Sequence, residues 1–599
     1  MSGKVRTLFG QLPHLPRALR LTWGTARGWT VAWAGLLVVQ GLLPLATVFI
    51  AKLVVDNVVA GSKSDGSWDK IQPAVFWVIL MAAILLVSEL LRSLGAWIRA
   101  AQAQILRDHL STLIHQKSVE LDMAFYESPD YFDHLHRARE ESGHRPIALL
   151  ESVGSLAQNT LTLVAMGAVL LQFGLWLPIA LVVSTLPALL VVLHYSTRQH
   201  AWRQQATSDE RRAWYYDWLL TAPESAAELR LFALGDYFQA AFQKLRARLR
   251  ADQIQLARQQ AFAEIAAATV GLVITGAAAA WMVWQAARGA VSLGDLALFY
   301  VAFNHGQTLM RALLHNVGQI YANTLFLGDL FEFLSLAPKM TAPLTPITLP
   351  NTAEISFRDV NFHYPASERV ALREFTLRIH AGQISAIVGP NGAGKSTLVK
   401  LLCRFYDPDS GVITLGGVDL RELNIEELRS NISVLFQQPI HYNMTAAENI
   451  RLGNLQNNGA MNIETAARAA WADQTIARLP QQYETPLGKW FDGGTDLSVG
   501  EWQRLALARA LVRPSPILLL DEPTSAMDSW TEAQWVRKLR ETVAGRTVLM
   551  ITHRFTTAMC ADKIYVMDDG RIVEAGNHTE LLQSNGLYAQ SWLSQTEKK

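Results

Sequence analysis

Hydrophobic and polar positions divide the chain into two halves with different periods. In the first half long uncharged runs dominate. Val31–Ala51 carries no charged side chain and has about the 20 residues a membrane-crossing helix needs. A second run starts at Pro73 and reaches Ile98, broken only by Glu89 and Arg92. Ser152–Thr197 contains no Asp, Glu, Lys or Arg, enough for two spans, with "FGLWLP" (Phe173–Pro178) supplying the turn between them. Ile265–Ala287 is a fifth run, and Leu296–Met310 opens a sixth that continues in a helical pattern towards Phe333. The pattern predicts six helical spans at 31–51, 73–98, 154–173, 177–195, 265–287 and 296–318, within a domain covering 1–335. A proline-rich stretch, "LAPKMTAPLTPITLP" (Leu336–Pro350), then reads as a linker over 336–351. From 352 to 599 the pattern is that of a soluble α/β domain. "EISFRDVNFHYP" alternates as a strand does, and "ISAIVGPNGAGKSTLVKLL" reads as buried strand, glycine-rich turn and helix.

Composition agrees with a membrane part joined to a soluble part. Charged residues make up 18% of the 599, below the roughly 25% of soluble domains, and half of the chain is apolar. The net charge of +1 argues against a nucleic-acid partner. Cys403 and Cys560 are the only cysteines and are read as idle thiols. The first 29 residues contain Lys4, Arg6, Arg17, Arg20 and Arg27 and no acid, while Gly61–Gln72 and Arg288–Gly294 are close to neutral. Six spans and this positive bias put both termini in the cytoplasm. The first span is too long for a signal-peptide core, and others follow it. An organellar transit peptide is the alternative reading of the basic start; "LPRALRLTW" (Leu15–Trp23) reads better as an amphipathic helix on the inner membrane surface. Arg99–Glu151 and Arg198–Glu264 are long, charged cytoplasmic loops. Each has an aromatic, proline-bearing turn at its middle, "FYESPDYFD" (Phe125–Asp133) and "YYDWLLTAPES" (Tyr215–Ser225).

Two motifs carry chemistry. G-x-x-x-x-G-K-S over Gly389, Pro390, Asn391, Gly392, Ala393, Gly394, Lys395 and Ser396, with Thr397 following, lets backbone N–H groups wrap a phosphate at a helix N-terminus. Lys395 reaches the β- and γ-phosphates of a nucleoside triphosphate, and the Ser396 hydroxyl ligates Mg²⁺. In "PILLLDEP" (Pro516–Pro523) an apolar strand feeds Asp521, a Mg²⁺ holder through water, and Glu522, placed to take a proton from attacking water.

Together these residues resemble the nucleotide-binding domain of ABC transporters, and with the six spans nearly the whole chain resembles an ABC exporter half-transporter. "DLSVGEWQRLALARALV" (Asp496–Val512) stands where the family signature belongs, as Leu497, Ser498, Val499, Gly500 and Glu501 in place of the commoner L-S-G-G-Q. The resemblance implies that two copies stack head to tail and that this segment closes the ATP site of the other copy. It implies further roles: Tyr364 stacking on adenine, Gln437 (or its neighbour Gln438) touching Mg²⁺ and water, Ser525 and Asp528 in the D-loop at the dimer seam, and His553 as the switch histidine holding Glu522. With every catalytic position filled, a homodimer with two working sites is expected. "GKWFDGG" (Gly488–Gly494) resembles bacterial exporters of ribosomal peptides such as lantibiotics and microcins. With only about 30 residues before the first span and no cysteine there, leader-peptide cleavage is not expected.

For the transported substrate the candidates are Glu89 and the stripe Asn304, Thr308, Arg311, His315 and Gln319. A carboxylate at mid-membrane costs roughly 2.5–3.5 kcal/mol. Glu89 is therefore either paired with Arg92 one turn on or a cation-binding cavity residue. The stripe faces either the central passage or a hydrated cytoplasmic surface. Gln40 reads as packing glue between helices. The expected function is an ATP- and Mg²⁺-dependent exporter of a peptide or amphipathic small molecule, working among membrane lipids of a bacterial inner membrane as a pair of identical chains. The alternatives are a lipid flippase on the same scaffold or a non-transporting ATP-gated channel or sensor.

Overall fold

The computed structural model describes residues 14–62, 68–127, 135, 145–338, 340, 343, 345–350, 352–365, 367–456, 461–543 and 545–596. Two compact units divide the chain: 1–119 with 133–336, and 120–132 with 337–599.

The first unit is helical. "LPRALRLTW" lies in a short helix, His14–Thr25. Among the described residues six long helices follow: Arg27–Ser62, Trp68–Glu120, Arg145–Leu171, Trp176–Thr221, Gly235–Ala287 and Leu293–Ser335. Two of them run for 53 residues, about 80 Å at 1.5 Å per residue, far more than a bilayer needs. Arg145–Leu171 lies along Leu293–Ser335, and Trp176–Thr221 along Gly235–Ala287. Their shared core includes Met166, Leu170, Leu181, Met282, Phe299 and Phe303. Large apolar side chains also cover the outside, among them Leu42, Ile79, Leu86, Leu90 and Val273. A soluble bundle would put charges there, so this unit is built to face lipid.

Among the described residues five helices are long and apolar enough to cross a membrane. The expected sixth span, 296–318, lies on Leu293–Ser335 but is not one of the five: Asn304, His305, Gln307, Thr308 and Arg311 dilute its apolar run. The turn expected over Tyr215–Ser225 is also narrower than the sequence suggested. The helix continues to Thr221, and the turn is confined to Ala222–Ser225, with Ala222 in the extended conformation that a following proline imposes. Of Phe125–Asp133, the part up to Glu127 is described and begins in the short helix Met123–Tyr126; Ser128 onwards lies outside the described residues.

The second unit is an α/β domain with two sheets. β1 (Ile355–His363), β2 (Val370–Ile379), β4 (Ser410–Leu415) and β5 (Val418–Asp419) form an antiparallel sheet in the order β2-β1-β4-β5. β3 (Ile384–Val388), β6 (Ile432–Leu435), β7 (Ile517–Asp521), β8 (Thr547–Ile551), β9 (Lys563–Asp568) and β10 (Arg571–Gly576) form the other, in the order β10-β9-β3-β8-β7-β6. Its strands are parallel apart from β10. β3, β7 and β8 are buried at every position, the continuous apolar run of a strand covered on both faces. Their carboxyl ends therefore share one edge, where Val388 opens the glycine-rich loop and Asp521 closes β7.

Candidate nucleotide site

The loop after β3 leads into the helix Lys395–Leu402. Gly389 sits at φ 148°, and a Cβ there would lie 2.0 Å from the Met567 carbonyl oxygen, so only glycine fits against β9. Lys395 is buried, and its ammonium donates to the carbonyls of Gly389 (2.9 Å) and Pro390 (2.7 Å). Burial lowers its pKa against the pull of Glu522 and Asp521.

Asp521 is buried at the end of β7, and its Oδ1 has no hydrogen-bond partner among the described residues. Burial pushes its carboxyl up to about 6 despite the Ser396 hydroxyl bond and Lys395. Glu522, the next residue, takes φ 53°, a left-handed conformation rare for a residue with a side chain, while its N–H donates to Ile551 O at 2.9 Å. That twist separates the two adjacent carboxylates. Glu522 Oε1 receives two bonds: Gln437 Nε2 at 3.0 Å and His553 Nε2 at 3.0 Å. Of the neighbours Gln437 and Gln438, it is Gln437 that bonds Glu522. Burial, aided by Lys395, lowers the His553 pKa against the opposing pull of Glu522, so the ring is neutral at pH 7 and donates from Nε2.

Tyr364 follows β1 half-buried, its hydroxyl 3.1 Å from Thr397 Oγ1 on the helix after the loop. Pro390, Asn391 and Gly392 are exposed along the loop, while Ala393 and Thr397 are buried under it.

The signature segment starts the helix Val499–Leu511. No hydrogen bond or ion pair among the described residues joins Leu497–Glu501 to Gly389–Thr397. The segment's bonds run within itself and to its chain neighbours Asp496 and Trp502. Glu501 Oε2 accepts the Ser498 backbone N–H at 2.9 Å and the Ser498 hydroxyl at 2.8 Å, so the expected phosphate donor is already engaged. Burial opposes the charged form of Glu501, but those bonds, with Arg504 and Arg478 nearby, hold its carboxyl below the usual range. Val499 is 72% exposed, so no neighbour in this chain is disturbed by its side chain. Gly500 is required: a Cβ would meet Ala526 O at 2.5 Å. In the D-loop, Asp528 caps the helix Ser529–Thr542 through the N–H groups of Trp530 (3.0 Å) and Thr531 (2.9 Å).

Sequence reasoning passed over Gln503. It is buried, donates to Glu522 O (2.7 Å) and Ser525 Oγ (2.9 Å), and accepts the Ala526 N–H (2.9 Å). It also passed over Arg554, which holds the carbonyls of Ser525 and Met527 at 3.1 Å each. Before the signature, Lys489 pairs with Asp496 at 3.1 Å, and Trp490 and Phe491 stand exposed.

In the helical unit Glu89 pairs with Arg92 at 3.0 Å, both side chains exposed. Thr308, Arg311, His315 and Gln319 line an exposed helix face, with Asn304 half-buried at its head. Gln40 donates to Leu91 O at 2.6 Å, tying the first long helix to the second. The buried polar centre is one the sequence did not single out: Gln307 donates to Ser184 Oγ (3.1 Å) and Thr275 Oγ1 (2.5 Å).

A phosphate-wrapping loop, a strand-end acid pair and a lipid-facing helical unit define an ATP-hydrolysing membrane protein. The ABC transporter profile matches residues 372–525. Over 98% of its length the chain is 27% identical to the subtilin transport ATP-binding protein SpaT of Bacillus subtilis, covering 94% of that protein. An ATP-dependent lipid A-core flippase of Pectobacterium atrosepticum is 46% identical over 40% of each chain. Among solved structures, a bacterial Atm1-family ABC exporter with ATP bound superposes with a TM-score of 0.84 at 27% identity, across 95% of this chain and 99% of that one. The ATPase part matches the ABC transporter family, and the whole chain, with its multi-pass membrane unit ahead of that ATPase, is similar to ABC exporters.

Proposed function

We propose that two copies of this chain form a homodimeric exporter for a peptide or amphipathic small molecule. ATP is held between the Gly389–Thr397 loop of one copy and the Leu497–Glu501 segment of the other. The observation that carries this reading is the Glu522 carboxylate bonded at one oxygen by Gln437 and His553 (3.0 Å each), one residue beyond the buried Asp521. Oε1 is occupied, so Oε2 takes the proton of the attacking water, while neutral His553 and Gln437 fix the carboxylate's orientation. Tyr364 stacks on the base, and Lys395 turns from two loop carbonyls to the phosphates. Mg²⁺ fits this site: Ser396, Gln437 and Asp521 are oxygen donors, and Asp521 Oδ1 is a buried acceptor without a partner among the described residues. When bound, Mg²⁺ neutralises phosphate charge. Ser498 and Gly500, with the start of their helix, supply anion donors from the opposite copy, and Ser525 and Asp528 lie along the seam.

ATP binding favours the closed dimer, the Phe125–Asp133 and Tyr215–Ser225 segments transmit closure to the spans, and hydrolysis resets them. Both termini lie on the cytoplasmic side, in a bacterial inner membrane. The likeness to the subtilin transport protein over 98% of the chain supports a peptide cargo, as does "GKWFDGG"; the flippase likenesses cover 40% to 50% of it. Along the passage, Asn304, Thr308 and Arg311 present the polar face to cargo. Glu89, already paired with Arg92, is the cation-binding candidate only if cargo displaces that partner. The test is the ATPase rate in lipid discs, challenged with cationic peptides, lipophilic cations and different lipid headgroups. Selective stimulation by peptides supports the proposal; stimulation by lipids alone makes the protein a flippase, and indifference to every solute makes it a channel or sensor.

A further inference from the structure

The segment 120–132 belongs to the same compact unit as the nucleotide domain, although it lies in the first half of the chain. Its anchor is Glu127. One carboxylate oxygen accepts from Lys400 Nζ at 2.8 Å, and the other accepts the Tyr406 hydroxyl at 2.5 Å. The Glu127 side chain is one-third exposed: its bond from Lys400 lies at the surface, and its bond from the Tyr406 hydroxyl is partly buried.

Both donors touch Tyr364. The Lys400 ammonium lies 4.9 Å from the centroid of the Tyr364 ring, within cation–π range. The Tyr406 ring meets it edge-on, centroids 5.4 Å apart at 85°. The Tyr364 hydroxyl is bonded to Thr397, and the Phe362 ring also meets Tyr364 edge-on, centroids 5.0 Å apart at 76°. Two of these four contacts on Tyr364 therefore end on one carboxylate, and that carboxylate sits on the 123–127 turn, outside the nucleotide-binding sequence. An aromatic ring that stacks a base works only when its plane is fixed beforehand, because stacking gains little if the ring must first be ordered.

We propose that Glu127 is a positioning residue for ATP: through Lys400 and Tyr406 it sets the plane of Tyr364, so that the affinity for the adenine base depends on where the 123–127 turn sits. This rests on the reading of Tyr364 as the adenine platform. ATP that seats well on Tyr364 holds the turn, and a displacement of the turn weakens ATP, the reciprocity that any coupling between two sites requires.

The experiment measures ATPase rates of the full-length protein in lipid discs against ATP and against CTP, whose smaller base stacks less. Glu127→Gln should raise KM for ATP about fivefold, the loss of one charge-assisted bond. It should leave kcat within about twofold and move KM for CTP less. Lys400→Ala should do the same, and the double variant should be no worse than either single one. Tyr364→Ala is the control. If it raises KM for ATP while Glu127→Gln does not, the proposal fails and the platform stands; if Tyr364→Ala itself leaves KM unmoved, the platform reading fails first. Equal effects of Glu127→Gln on ATP and CTP, or additive effects with Lys400→Ala, would also overturn it. Should Glu127→Gln fold poorly, Tyr406→Phe removes a single hydroxyl from the same network and is expected to raise KM for ATP in the same base-dependent way.

Discussion

Glu501 stands where the commoner signature has glutamine, and its exchange isolates one term in ATP binding. In the resting chain its Oε2 holds both the N–H and the hydroxyl of Ser498. For the hydroxyl to serve a phosphate it must leave a carboxylate. A hydrogen bond to a charged group is worth about 1.5–3 kcal/mol and one between neutral groups about 0.5–1.5, so Glu501→Gln makes the release easier by about 1 kcal/mol. With the Ser498 hydroxyl oxygen lying between them, carboxylate and phosphate would be about 5 Å apart, and their repulsion is at least about 0.8 kcal/mol even at the dielectric of water. Together these predict a KM for ATP about fivefold to about twentyfold lower in Glu501→Gln, with kcat little changed because Glu522 and His553 are untouched. Glutamine still closes the capping arrangement. The helix loses only the favourable charge at its start, about 0.3–1 kcal/mol, so thermal stability should fall slightly while ATP affinity rises. The assay is a steady-state ATPase titration in lipid discs beside a thermal melt. An unchanged or raised KM in a variant that melts within a few degrees of the parent would refute the argument.

Glu522→Gln should bind ATP yet hydrolyse it at a small fraction of the parent rate, measured by nucleotide retention and phosphate release; near-parent turnover would dismiss Glu522 as the base. Ser498→Arg should impair hydrolysis while ATP binding persists, and loss of nucleotide binding would show that the segment does not act in trans. Gly500→Ala places a methyl 2.5 Å from the Ala526 carbonyl and should therefore lower the melting temperature as well as activity; a parent-like melt would mean that the helix and D-loop separate at no cost. Cys403 is buried and its thiol is pushed up to about 12 by that burial, with Cys560 pushed up to about 11 by the same cause, so neither should react with iodoacetamide at pH 8 in the native protein. Rapid labelling of Cys403 read by mass spectrometry would contradict its packing.

The membrane character of the first half was legible because uncharged runs of span length have few other uses. Its sixth helix was harder, since a polar stripe that faces away from neighbours and one that dilutes hydropathy are the same residues. The Gln307 cluster escaped because a lone glutamine in an apolar run looks the same whether it bonds within its helix or across to Ser184 and Thr275. In the second half the chemistry sits where a strand ends, and strand ends are marked by short patterns. The glycine loop and Asp521–Glu522 are thus legible from residue pattern alone. What holds them is not, because Gln503 and Arg554 act through backbone atoms of residues 19 to 29 positions away, and any sequence offers many such amides and guanidinium groups.

Gln503 changes how the two half-sites should be regarded. On the proposed reading, its helix opens at Ser498, the donor to the ATP of the other copy, while its amide holds the backbone of Glu522, the base for the ATP of its own. Gly500 brings the same helix against Ala526, and Gln503 Oε1 accepts the Ala526 N–H. The donor half of one site and the base of the other are therefore fastened to one buried side chain, with both of its polar ends in use. A side chain so placed has no slack to let one site reorganise alone, because breaking either end strands a buried polar group at a cost of about 1–3 kcal/mol. If two such chains pair as proposed, that shared fastening should make both sites close or open together.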